Sequence, residues 1–191
     1  MRKSKQEAAR TRDHIIEVAA QEFRRKGIAG TSLADVMAAA GLTHGGFYRH
    51  FESKDQLIAE ACAAAVRAGE KTASTLLCPY KGDDLEAFAE NYLSAGHRDD
   101  PSGGCLLAAL GSELARADEQ TRRVATEGLL MLADRLAAQF SGVRPQVAKR
   151  RALVALATLV GALILARMVT DPKLSSRILR EATKHVSTLV S

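Results

Sequence analysis

Residues Gly41–Lys54 read GLTHGGFYRHFESK, and the chain is best understood outward from them. Thr43 suits an N-cap, because its hydroxyl can accept an otherwise unpaired backbone N–H. Leu42 before it and Phe47 after it are placed as a hydrophobic staple. These signals predict a short helix from His44 to about Phe51. Gly45 and Gly46 fall in its first turn. Each glycine costs roughly 1 kcal/mol against alanine in a helix, and such local breaks gather at functional positions. Without side chains there, the helix N-terminus can bring its N–H groups against a phosphate or a base edge.

Upstream, Thr31–Ala40 reads TSLADVMAAA. Ser32 and Asp35 have capping-box spacing, with Asp in place of Glu or Gln. Leu33, Val36, Met37 and Ala40 mark one apolar face. Gly41 is a natural helix stop. Two short helices joined by a tight glycine turn read as a helix-turn-helix.

The run from Thr31 to Ala61, TSLADVMAAAGLTHGGFYRHFESKDQLIAEA, resembles the DNA-binding signature of the TetR family of bacterial transcriptional regulators. The resemblance rests on Thr31, the Ala40-Gly41-Leu42-Thr43 turn, Gly45-x-x-Tyr48-x-His50-Phe51, and Ser53-Lys54. The family usually has Leu or Val where Phe47 stands, and Ala, Thr or Ser where Gly46 stands. The second glycine is a departure that removes one base contact. The resemblance implies that Thr31, Tyr48, His50 and Lys54 hold the DNA backbone. The recognition helix is expected to enter the major groove by its N-terminal end. That places Thr43, His44, Gly45 and Gly46 nearest base edges or adjacent phosphates, with Phe47 and Phe51 on the packing side.

Composition agrees with an all-α chain. Of 191 residues 47% are hydrophobic and 4% aromatic, with no Trp and only four Pro to interrupt helices. The net charge of +5 suits a polyanionic partner. Cys62, Cys78 and Cys105 are widely spaced and lack a CxxC pair, so neither a disulfide framework nor a zinc site is expected. Reduced thiols and a cytoplasmic location follow. The charged N-terminus has no apolar run behind it and is not read as a secretory signal. The apolar run Ala152–Ala166 is shorter than the roughly 18 residues of a spanning helix, and no membrane partner is expected.

In chain order, residues 1–12 carry Arg2, Lys3, Lys5, Arg10 and Arg12 against Glu7 and read as a mobile basic arm. In the resembled family such an arm can reach DNA. A first helix is expected from Glu7 to Lys26, with Ile15, Ile16, Ala19, Ala20 and Phe23 inward. Arg24, Arg25 and Lys26 suit its last turn through the helix dipole. Ser53 and Gln56 should cap a long helix reaching toward Leu77, with Cys62 in its buried stripe. Pro79–Gly82 reads as a linker, and Asp83 as a cap for a helix carrying Phe88 and Tyr92. Ala95–Gly104 reads as a polar loop, and a helix should start near Ser102. Asp118 should cap the next helix. Pro145 and Asp171-Pro172 open the last two.

The domain reading is a helix-turn-helix domain over 1–52 and an effector-binding and dimerisation domain over 53–191. No catalytic motif, cofactor loop or metal-ligand pattern appears, so no enzyme, cofactor or metal is expected. A small-molecule pocket is expected among the C-terminal helices, with Phe88, Tyr92, Leu106, Leu110, Leu129 and Leu132 as lining residues. Cys105 is the sharpest candidate. With Ser102 as N-cap it would occupy the third helical position, where the dipole favours a thiolate. The last two helices are expected to pair with a second copy through Leu156, Val160, Gly161, Leu163, Ile178 and Ala182. The functional expectation is a homodimeric repressor released from a palindromic operator by a small-molecule effector. The alternative is a thiol-based electrophile or redox sensor acting through Cys105.

Overall fold

A computed structural model describes residues 2–77 and 85–189, with side chains described over 5–69 and 85–189. Cys78, the Pro79–Gly82 linker and the Asp83 cap lie outside the described residues. The chain is all-α, with no strand among the described residues. The elements are α1 (Arg2–Lys26), α2 (Leu33–Ala39), a 3-10 helix (His44–Arg49), α3 (Lys54–Leu77), α4 (Leu85–Tyr92), α5 (Ala95–Asp99), α6 (Leu106–Leu114), α7 (Glu119–Ala137), α8 (Pro145–Met168) and α9 (Pro172–Thr188).

Most starts follow their caps. Ser32 and Asp35 form the full capping box of α2. Asp118 accepts from Thr121 N–H to open α7, and Asp171 from Lys173 N–H to open α9. Ser53 Oγ accepts from Gln56 N–H at 3.0 Å, while the Gln56 amide oxygen turns back to Glu52 N–H at 2.7 Å. Each such cap is worth about 1 kcal/mol. Gly41 ends α2 with φ +72°, a backbone region that a Cβ disfavours.

Three expectations about local structure are corrected. The expected basic arm is helical, because α1 begins at Arg2. Arg12, taken as part of that arm, is spent inward: its guanidinium sits 4.7 Å over the Phe51 ring, donates to His50 C=O and pairs with Glu60. The expected loop after Ala95 contains α5, because Ser94 accepts from His97 N–H as a cap. The next helix starts at Leu106 rather than near Ser102, with Cys105 itself at the N-cap.

Buried side chains gather in two clusters. One joins Ile15, Ala19 and Phe23 of α1, Val36 and Met37 of α2, Phe47, and Leu57, Ile58 and Cys62 of α3. Leu106, Leu110 and Leu114 of α6 also belong to this cluster. The other joins α4, α7, α8 and α9 around Leu85, Phe88, Leu136, Leu159, Leu163 and Val186.

The α8 helix is 24 residues and apolar enough to cross a membrane by length and composition. One side of it is buried through Ala152, Ala155, Leu156, Leu159, Ala162, Leu163 and Ala166. Leu156 and Leu163, expected at a dimer contact, therefore lie in the chain's own core. The outward side instead shows Leu153, Val154, Ile164, Leu165 and Met168. Val160, Gly161, Ile178 and Ala182 are half-buried at the margin. A helix apolar all round leaves its face to tertiary packing, which the sequence period does not reveal.

Leu163 is fully buried and Met168 is 67% exposed. Leu163→Ala is expected to cost about 2–5 kcal/mol, and Met168→Ala, which opens no cavity in this core, to cost less. Urea unfolding of the two variants at one protein concentration checks this.

Candidate functional site

The first candidate surface is built by α2 and the 3-10 helix. Val36, Met37 and Phe47 are buried beneath it, and Phe51 stacks on Phe47 with ring centroids 5.4 Å apart. This packing fixes which residues of His44–Arg49 face outward. Tyr48 meets the edge of Phe47 and is 67% exposed. Thr43, His44, Gly45 and Arg49 are exposed as well, and Gly46 and His50 are half-exposed. The expected short helix is present as a 3-10 helix over His44–Arg49. Thr43 contributes its carbonyl, 3.0 Å from Gly46 N, while its hydroxyl makes no cap bond. That hydroxyl stays available to an outside partner.

Two expected backbone contacts have partners inside the chain. Thr31 is fully buried, and its hydroxyl donates to Gly27 C=O at 2.7 Å. The Lys54 ammonium donates to Ile28 C=O and Thr31 C=O at 3.1 and 2.7 Å. Both residues hold the turn between α1 and α2 and face inward. Arg49, which was not among the expected contacts, is exposed beside Tyr48. Its position between Tyr48 and His50 was the available signal.

The second candidate is a half-open cavity of about 350 Å³ lined by α3, α4, α5, α6, α7 and the turn before α6. Among the candidate residues, Phe88, Tyr92, Cys105, Leu106 and Leu132 line it. Leu110 does not, being buried against the N-terminal helices, and Leu129 packs against the C-terminal core. Ala65, Val66 and Gly69 of α3, with Gly128 and Met131 of α7, were missed. Gly128 carries a signal only in three dimensions, since a Cβ there would lie 2.6 Å from Val66 Cγ2.

The polar wall centres on His97. Its Nδ1 lies 2.7 Å from Tyr92 C=O, and its Nε2 accepts from Cys105 N–H at 3.0 Å. A carbonyl can only accept, so Nδ1 carries the proton and the ring is neutral. Among the described residues the buried Tyr92 hydroxyl has no hydrogen-bond partner. Burial first, then the neighbouring Cys105 thiol, push its pKa well above the usual tyrosine range, while Arg167 pulls it down. Arg167 donates to the carbonyls of His97, Arg98 and Ala108 and so ties α5 and α6 to α8. Cys105 is half-buried and sits at the N-cap of α6 with no side-chain cap bond. The expected placement of its thiol in the first turn under a Ser102 cap does not occur. Burial pushes the Cys62 thiol up to about 11, consistent with plain core. Among the described residues, no group of three or more His, Cys, Asp or Glu could hold a metal ion.

Residues 15–61 match the family model for bacterial regulatory proteins of the tetR family, and residues 82–185 match that for the LmrA/YxaF-like transcriptional regulator C-terminal domain. The chain belongs to the TetR family. Among curated relatives of this TetR-family chain, AcrR of Shigella flexneri is 48% identical over 59 residues, covering 31% of this chain and 27% of AcrR. The match thus spans about a quarter of AcrR's length. An uncharacterised HTH-type regulator of Mycobacterium tuberculosis is 30% identical over 175 residues, covering 84% of this chain and 86% of the relative. A TetR regulator of Chloroflexus aurantiacus superposes with TM-score 0.80 at 28% identity, covering 100% of this chain and 96% of that one.

Burial disfavours the charged form of His97 and lowers its pKa below the ordinary 6.5. The unfolded chain then binds this proton more readily than the folded one. The stability contributed by neutral His97 is complete above about pH 6.5 and is lost as pH falls below it. The urea midpoint is expected to drop between pH 7.5 and pH 5.5, and His97→Gln to flatten that slope.

Proposed function

We propose that this TetR-family chain is a dimeric transcriptional repressor that leaves a palindromic operator when a small molecule fills the cavity. The observation that carries this reading is the double use of α3. Its Leu57, Ile58, Ala61 and Cys62 pack in the core beneath the 3-10 helix, and its Ala65, Val66 and Gly69 line the cavity. An occupant that moves α3 moves the recognition element with it. Residues 1–52 act as the DNA-binding domain and 53–191 as the effector and dimerisation domain. Thr43, His44, Gly45 and Gly46 read base edges and nearby phosphates, while Tyr48, Arg49 and His50 hold the backbone. Release requires that the ligand bind the DNA-incompetent state more tightly.

The dimer forms through the outward side of α8 with α9. Leu153, Val154, Ile164, Leu165 and Met168 give this face an apolar strip, flanked by exposed Leu174. A second copy covers it across a two-fold axis, which accounts for α8 without a membrane and suits a cytoplasmic protein. The two recognition elements must then sit about 34–36 Å apart, or at a multiple of that spacing.

The Cys105 thiol in the cavity wall favours a second reading, in which alkylation of Cys105 replaces reversible binding. A Cys105→Ser chain that still leaves DNA after treatment with iodoacetamide removes it.

Two experiments test the first reading. Tyr48→Phe is expected to weaken binding to all duplexes alike by at least about tenfold, since a hydrogen bond to a charged group is lost. His44→Ala is expected to change sequence preference. Titration of a duplex library at fixed salt reads both, and the reverse pattern overturns the assigned roles. Gly128→Ala drives a methyl into Val66 and is expected to push α3 from α7, lowering operator affinity at least about fivefold without effector. Wild-type affinity in a folded Gly128→Ala chain would count against α3 as the mover.

A further inference from the structure

The turn from Asp100 to Cys105 touches both halves of the molecule. On one side Asp100, Gly103, Gly104 and Cys105 line the cavity, together with His97. On the other side the Ser102 carbonyl accepts from Arg24 Nε of α1 at 2.6 Å. Arg24 is only 8% exposed, although it is an arginine at the end of a helix. A buried guanidinium is held where it is by its acceptors, and Ser102 C=O is one of them.

The turn is stiff. Asp100 Oδ1 accepts from both Ser102 N–H and Ser102 Oγ, and Gly104 N–H donates to Pro101 C=O. Gly104 is pressed against His97: a Cβ there would lie 2.5 Å from Nε2. Pressure from a cavity occupant on Gly103, Gly104 or His97 therefore moves Ser102 as well. The turn leads directly into α6, whose Leu106, Leu110 and Leu114 are buried with α1, α2 and α3. At the far end of α6, Glu113 Oε1 accepts from Ala29 N–H at 2.8 Å.

We propose that the Asp100–Cys105 turn is a two-sided latch, in which the Arg24–Ser102 hydrogen bond couples occupancy of the cavity to the position of α1 and the recognition element. Arg24 is a positioning residue and touches neither ligand nor DNA. The proposal rests on the effector reading of the cavity and adds a second route beside α3.

Coupling between two sites is reciprocal, so bound operator must tighten the turn. Cys105 reports on it directly, and Cys62, at 1% exposure, serves as the protected comparison. The experiment measures the rate of Cys105 alkylation by iodoacetamide, read by peptide mass, with and without a palindromic duplex selected from genomic fragments. Duplex anisotropy in the same samples reports binding. Saturating duplex is expected to slow wild-type Cys105 labelling at least about fivefold. Arg24→Gln is expected to label at the same rate with and without bound duplex, and Arg24→Lys, which keeps a donor, to restore part of the protection. Duplex that binds without changing the wild-type rate overturns the latch and leaves the repressor reading standing. Full protection in Arg24→Gln also overturns it. A chain that binds no duplex overturns both. If Arg24→Gln does not fold, the wild-type comparison decides alone.

Discussion

The structure depends on α3 being one continuous helix that joins the core beneath the recognition element to the wall of the cavity. A helix rises about 1.5 Å per residue, so Leu57 and Gly69 are roughly 18 Å apart along one rigid rod. At one end the helix is packed with Phe47 and Phe51, and at the other it forms a cavity wall. Side chains in close-packed interiors cannot absorb a displacement by compressing. A change at one end of the rod is therefore felt at the other.

The recognition element shows how little material that arrangement needs. Its 3-10 helix spans six residues and two of them are glycine. It has little stability of its own and is held by Phe47 below, by the stacked Phe51, and by Arg12 reaching from α1 over that ring. Arg12 also accounts for the shared fate of α1 and this element, since it donates to the His50 carbonyl and pairs with Glu60 of α3. Three helices are tied through one guanidinium.

The cavity wall is organised by polar groups that spend themselves on the backbone. His97 bridges Tyr92 C=O and Cys105 N–H, and Arg167 satisfies three carbonyls across α5 and α6. These bonds join short elements that have little intrinsic stability, such as the five-residue α5. The exception is the Tyr92 hydroxyl, which is buried and has no partner among the described residues. An unmade bond of this kind costs about 1–3 kcal/mol.

Much of the fold was legible in the residues because its signals are local. Ser32 with Asp35, Gly41, Asp118, Pro145 and Asp171-Pro172 each act within a few residues, and the structure places a helix boundary at each. The helix-turn-helix and the family resemblance were readable for the same reason. The rest depended on distant partners. The bonds of Thr31 and Lys54 to the Gly27, Ile28 and Thr31 carbonyls appear only in three dimensions. Leu110 looks like a pocket residue until α6 is found packed against the N-terminal helices. In α8 the apolar residues run all round the helix, so no period separates Leu163 inside from Met168 outside. By itself the sequence determined most of the helix boundaries and the helix-turn-helix, because capping and turn chemistry are short-range. Only the tertiary structure decided which faces meet, which arginines are spent inward and where a cavity remains, because those follow from packing between segments far apart in the chain.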